Sequence, residues 1–365
     1  MAGIYIHIPF CRSRCIYCGF YSTTSLELRE RYAECVITEL RTSSILHKDI
    51  GTIYLGGGTP SQLSTDQLQR ILEAVYKYYK VAERAEVTIE CNPDDVTETF
   101  AEGLRRLPVN RVSMGAQTFS NERLRLLHRR HSAKQVGQAV GRLRAAGIGN
   151  ISIDLMYGFP GETLSDWEDD IRQALLIEAE HLSAYCLMIE EGTPLYRLHP
   201  EPLDEELERT MYETLIDRLE AAGYEHYEIS NFAKPGYESR HNSSYWDGTP
   251  YIGIGAAAHS FDGRTRSWNV SDINRYMEAT EQGRRLYDAE VIDGNTRYND
   301  MVTVALRTRR GLNLDLLSER QRDYCMKNAR RFISDGLLKI NSSYMALTRR
   351  GLFVSDMIMS ELMWV

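Results

Sequence analysis

Cys11, Cys15 and Cys18 place three of the chain's seven cysteines within eight residues, in the stretch GIYIHIPFCRSRCIYCGFYS, with no fourth thiol nearby. A closed structural zinc site asks for four donors, usually two cysteine pairs or cysteines with suitably spaced histidines. No second CxxC and no HxxxH pair is present, and His7, four residues before Cys11 on an expected strand, is poorly placed to be the fourth ligand. Three thiolates on one loop suit a 4Fe-4S cluster whose fourth iron has no protein ligand and is open to another molecule. A zinc site and three plain buried thiols are the competing readings. Cysteines this dense rarely serve packing alone.

A second stretch, GGGTP at Gly56–Pro60, lacks the GK[ST] ending of a phosphate loop. It is either a tight turn or, beside an open cluster, a place where backbone free of Cβ atoms meets an ammonium group while Thr59 adds a hydroxyl.

These residues need a scaffold, and the chain alternates accordingly. IYIHI near residue 4, TIYLGG near 52, EVTIEC near 86, RVSMGAQ near 111, ISIDLMYG near 151 and HLSAYCLMI near 181 read as strands. The stretches between them have helical spacing, as in Leu68, Ile71, Leu72, Val75 and Tyr79 behind a Ser64 or Thr65 cap. Six βα units predict an α/β fold, an incomplete parallel (β/α)6 barrel, whose ligands bind at the C-terminal strand ends. There the cysteines follow the first strand and Gly56–Thr59 the second, while Glu90 closes the third, Gln117 the fourth, and Asp154 lies on the fifth. All are expected at one mouth.

Residues 1–225 are thus the expected barrel domain, and 226–292, rich in Gly, Ser and aromatics, an irregular segment closing its side. Residues 293–365 read as helices followed by two short strands around NSS, a small winged-helix-like module. In a chain of 365 residues with net charge −8, packing or docking suits such a module better than nucleic-acid binding. No apolar run is long enough to span a membrane, no export signal is evident, and the odd cysteine count opposes a disulfide framework. A cytoplasmic setting with reduced thiols is expected. Cys35 and Cys186 fall within helix and strand patterns and are read as core.

CxxxCxxC directly after a first strand, with GGGTP on the second, resembles the radical S-adenosylmethionine enzymes. In that family the open iron is chelated by the amino and carboxylate groups of S-adenosylmethionine, and an electron from the cluster yields a 5′-deoxyadenosyl radical. The ordered series GGGTPS, IECNPDD, RVSMGAQTFS, LHRRHS, IDLMYGFPGET and YIGIGAAAHS is similar, from residue 2 to about 360, to the coproporphyrinogen dehydrogenase group, the HemN and HemW families. The resemblance implies S-adenosylmethionine contacts at Tyr5, Gly57, Gly58, Thr59, Glu90, Gln117, Arg129 and Asp154. Their chemistry fits: carboxylates for an ammonium or ribose hydroxyls, an arginine for a carboxylate. Because the glycine and cysteine loops are separate in sequence, a side chain added at Gly57 or Gly58 is expected to weaken cofactor binding without dislodging the cluster.

Two departures divide the group. The HemN branch, which decarboxylates coproporphyrinogen III oxidatively, carries a further cysteine two positions beyond the third, where this chain has Phe20, and a long segment before the cluster. Both point to the HemW branch, understood as haem chaperones that hand haem to acceptor proteins, including acceptors at a membrane surface, without established dehydrogenase activity. RHNSSYWDG matches the HNxxYW motif of that branch, which makes His241 a candidate haem ligand beside Tyr245 and Trp246. His259 is its nearest competitor. A coproporphyrinogen dehydrogenase and a structural zinc protein remain the alternatives.

Overall fold

The protein is described here by a computed structural model covering residues 1–43 and 49–365. Six strands, β1 (Ala2–Ile8), β2 (Asp49–Gly57), β3 (Lys80–Cys91), β4 (Arg111–Gln117), β5 (Asn150–Tyr157) and β6 (His181–Cys186), lie in sequence order and pair in parallel. Helices connect them, as the six expected βα units require. Helix Thr65–Tyr78 starts at a capping box in which Ser64, not Thr65, is the cap and exchanges hydrogen bonds with Gln67. Its residues Leu68, Ile71, Leu72 and Val75 are buried in the core.

Parallel strands buried on both faces usually read as unbroken apolar runs. Here they alternate. Ile4, Ile6, Ile53, Leu55, Val87, Ile89, Val112, Met114, Ile151, Ile153 and Leu182 share one core with the helices. The intervening positions are Tyr5 and His7, Thr52 and Tyr54, Glu86, Thr88 and Glu90, Arg111 and Ser113, Ser152 and Asp154, and His181 and Ser183. Since side chains alternate with period two, the opposite face of the same strands is largely polar. Solvating those groups is the task that a bound ligand or water would share.

The segment 226–292 is more regular than its composition predicts. β7 (Glu225–Glu228) and β8 (Asn231–Ala233) extend the sheet antiparallel beyond β6. On the other edge β9 (Tyr251–Ile254) pairs in parallel with β1, followed by antiparallel β10 (His259–Phe261), β11 (Thr265–Asn269) and β12 (Tyr287–Val291). Strands of three to five residues are too short to display an alternation, and Gly253 and Gly255 dilute it further. The result is one open sheet of twelve strands, the incomplete barrel expected from the repeat.

A second core gathers Tyr298, Val302, Leu306, Cys325, Phe332, Met345 and Leu362. It lies among helices Gly294–Ala305, Glu319–Ser334 and Ser355–Leu362 and a small sheet of β13 (Leu312–Asn313), β14 (Leu338–Asn341) and β15 (Tyr344–Leu347). β14 and β15 flank the NSS turn as anticipated. Among the described residues no helix is long and apolar enough to cross a membrane.

Candidate functional site

The cysteine loop leaves β1 and is closed at its base, where Cys11 N–H donates to Thr23 O (2.9 Å) and Thr23 N–H to Pro9 O (2.7 Å). Its far side is anchored by Ile16, between the second and third cysteines. Ile16 is buried in a small separate core with Leu127, Met156, Phe159, Leu187 and Leu195. It also donates to Leu127 O (3.3 Å) and accepts from Leu195 N–H (2.9 Å). The three free thiols are half-buried. Burial pushes the Cys11 and Cys18 thiols up, so a metal bound there would displace protons. Among the described residues no three His, Cys, Asp or Glu side chains converge on a point that would hold a single metal ion.

Side chains from four loops link the first two thiols of this motif to its neighbours. Cys11 Sγ lies 3.5 Å from Thr59 Oγ1, and Asn92 Nδ2 donates to Thr59 Oγ1 (3.3 Å). Arg129 Nη2 donates to Asn92 Oδ1 (2.7 Å), and Arg129 Nη1 to Cys15 Sγ (3.6 Å). The belt Cys11–Thr59–Asn92–Arg129–Cys15 thus joins the loops after β1, β2 and β3 to the segment beyond β4. Gln117 ends β4 with a left-handed backbone (φ 67°), just past a register shift at Gly115. A Cβ on Gly115 would lie 2.6 Å from Gln117 Nε2 and 3.1 Å from Arg129 Nη2, which places Gln117 beside the belt.

The two expected carboxylates stand one layer below. Glu90 accepts from Tyr54 Oη–H (2.7 Å) and from Gly57 N–H (3.1 Å), tying the third strand to the glycine loop. Burial pushes its carboxyl up to about 7. Asp154 accepts from Ser113 Oγ–H (3.3 Å), and burial raises it too. Arg111, 1% exposed, works against both shifts, and its Nε and Nη1 have no hydrogen-bond partner among the described residues. Tyr5 donates to or accepts from His7 Nδ1 (3.1 Å) and stacks on Tyr54 at 6.1 Å.

The glycine loop is bound more closely to the cysteine loop than sequence separation implies. Gly57 has φ 111°, and a Cβ there would sit 2.5 Å from the His7 ring. A Cβ on Gly58 would sit 2.6 Å from the Pro9 carbonyl carbon, two residues before Cys11, while Gly58 N–H donates to Ile8 O (2.9 Å). A side chain at Gly58 therefore presses on the backbone that carries the first cysteine, so the two loops are in direct contact at this position.

His241 lies at the opposite end of the polar face. Helix Arg240–Trp246 is capped by Ser239, and Glu86 accepts from both Arg240 N–H and His241 N–H (2.9 Å each). The imidazole is fully buried, stacks on Tyr54 at 5.1 Å, and engages Thr52 Oγ1 through Nδ1 (2.8 Å) and Tyr245 Oη through Nε2 (2.9 Å). A haem iron would have to displace one of these bonds. Trp246 carries Arg307 over its ring at 5.2 Å, and Arg307 pairs with buried Glu228 at 3.0 Å, so the motif faces the C-terminal module.

Asn92, Tyr54, Ser113 and Arg111 were not singled out from sequence. Asn92 had a signal, its position just beyond Glu90 in IECNPDD. Tyr54 and Arg111 show only as polar positions alternating with apolar ones.

The radical SAM superfamily profile matches residues 5–174, and the HemN C-terminal domain matches 292–354. Heme chaperone HemW of Bacillus subtilis (strain 168) is 36% identical over 369 residues, covering 96% of each chain. The chain belongs to the HemW family. Heme chaperone HemW of Mycobacterium tuberculosis (strain H37Rv) is 34% identical over 99% of this chain and 94% of its own. That of Escherichia coli (strain K12) is 36% identical over 70% and 69%. Among solved structures, coproporphyrinogen III oxidase (HemN) from Escherichia coli superimposes with a TM-score of 0.86, covering 99% of this HemW-family chain and 89% of the oxidase. At 21% identity that likeness speaks for the fold alone.

Proposed function

We propose that this protein is a haem chaperone that holds a 4Fe-4S cluster on Cys11, Cys15 and Cys18, binds S-adenosylmethionine at the open iron, and carries haem to acceptor proteins. The observation that carries the reading is the belt from Cys11 through Thr59, Asn92 and Arg129 to Cys15, which sets donors for a cofactor against the thiol loop. Three half-buried thiols with no fourth thiol nearby in sequence suit a cluster with an open iron better than a closed zinc site. When bound, the cluster and cofactor supply one-electron chemistry. The chain's part is to hold and orient. Glu90 and Asp154 offer acceptors to an ammonium and to ribose hydroxyls, Gln117 and Arg129 offer donors to a carboxylate, and Gly57, Gly58 and Thr59 admit a close backbone approach, with Tyr5 stacked on Tyr54 beneath.

Phe20, 71% exposed, occupies the position at which the dehydrogenase branch has its additional cysteine, which favours carriage over decarboxylation. The test is an anaerobically reconstituted sample assayed in parallel for haem uptake and coproporphyrinogen III conversion. Haem uptake with transfer to an apo-acceptor and no conversion is the expected result. Formation of protoporphyrinogen would replace the chaperone by the dehydrogenase, and zinc without acid-labile sulfide in the isolated protein would remove both.

A further inference from the structure

A haem-binding protein must offer the iron an accessible lone pair, and few of the described histidines hold one in the open. His7, His181 and His241 are buried and use both ring nitrogens, His131 bonds Ala116 O through Nε2 and keeps an unpartnered Nδ1 that is sealed from solvent, and His226 is bonded to Ile229 O and stacked on Phe232 at 4.2 Å. His128, His199 and His259 are exposed, with no ring hydrogen bond to another described residue. The first two stand on turns with left-handed backbone, φ 59° and 45°. His259 is different: it sits on a strand, paired in register with Trp268, whose ring stacks on the imidazole at 5.8 Å and 25°.

Strand geometry extends that pair into a surface. Phe261 pairs with Tyr251, their rings 6.3 Å apart, and Tyr251 pairs with Gly3 of β1. Period two then puts His259, Trp268, Phe261 and Tyr251 on the face that continues into Tyr5 and His7. An exposed imidazole on an aromatic ledge beside the cofactor pocket has what a metalloporphyrin needs: a nitrogen for the metal and flat apolar area for the macrocycle.

We propose that His259, rather than His241, supplies the imidazole ligand to haem iron, with Trp268 and Phe261 as the wall against which the macrocycle lies. This rests on the haem-carrying reading above. Burial lowers the His259 pKa, with Arg266 adding to the effect, so the ring is neutral and its lone pair available at neutral pH. His241 keeps a different task, holding helix Arg240–Trp246 against the sheet.

Ferric haem titrated into the purified full-length protein tests the assignment, read by the Soret band, spin state and affinity, with melting curves as a check on folding. His259→Ala is expected to shift the Soret band and weaken haem at least about ten-fold, a loss of one strong nitrogen donor. His259→Met should retain haem with a displaced band, while His128→Ala and His199→Ala leave spectrum and affinity as in the parent. A His259→Ala spectrum and affinity equal to the parent's would overturn the assignment while leaving haem carriage intact. A parent protein that takes up no haem would overturn the chaperone reading and this assignment with it.

Discussion

The two ends of the polar strand face carry the chain's two most conspicuous motifs and treat them in opposite ways. At the mouth, Cys11, Cys15 and Cys18 are half-buried on a loop, and their contacts are long: 3.5 Å from Thr59 and 3.6 Å from Arg129. At the far end, His241 is fully buried, both nitrogens are taken at 2.8 and 2.9 Å, and its own backbone is capped by Glu86. Unfinished valences at an accessible mouth are what a binding site has before its ligand arrives. Satisfied groups in a dry interior are what a structural joint has. A run of unusual residue types marks importance in both cases, and only the hydrogen-bond accounting separates the kinds.

That contrast can be broken by experiment, beginning with the largest effect. Cys15→Ala should remove most iron and acid-labile sulfide from the reconstituted protein while shifting its unfolding midpoint little, because the loop's anchor is Ile16 and not the thiol. Full iron retention in alanine variants of all three cysteines would end the cluster assignment. Next, Gly58→Val should lower both iron retention and S-adenosylmethionine affinity, since the new side chain meets the Pro9 backbone at 2.6 Å. Loss of cofactor affinity alone, measured by anaerobic calorimetry, would show that the two loops move independently. His241→Ala should do the reverse of both. It leaves a cavity against Tyr54 and strands Thr52 and Tyr245, costing about 2–4 kcal/mol in denaturant unfolding, with iron content unchanged. Undiminished stability in that variant would remove the structural role assigned to the far end.

The six central strands were legible because each runs six residues or more with period-two alternation, and the cysteine loop because its logic is contained in eight residues. The belt was not, since Thr59, Asn92 and Arg129 meet Cys11 and Cys15 across separations of 33 to 114 residues that only the strand register brings together. β7 to β12 were missed for want of length. His241 shows a further limit: a motif names residue types, and the types that ligate iron also make good buried hydrogen-bond partners. Which role it plays depends on the end of the strand it reaches.

The smallest effect is the most discriminating, because it sets stability against binding at a single carboxylate. Burial raises Glu90 from its ordinary 4.5 to about 7, so between those values the folded chain keeps a proton that the unfolded chain has released. The group's contribution to stability therefore falls as pH rises through that window, by at most about 3 kcal/mol, while its charge becomes available to a cationic ligand above about pH 7. Burial raises Asp154 in the same direction. Glu90→Gln should flatten part of the pH dependence of unfolding between pH 5 and 8 (about 1–2 kcal/mol after solvent access to the half-buried group is allowed for) and be the more stable protein at pH 8. The same variant should bind S-adenosylmethionine more weakly at pH 8 and differ less from the parent at pH 6, where the parent's carboxyl is itself largely protonated. If the parent's unfolding free energy does not fall over that range, or if Glu90→Gln binds the cofactor as well as the parent at pH 8, Glu90 belongs with the satisfied groups of the far end and not with the mouth.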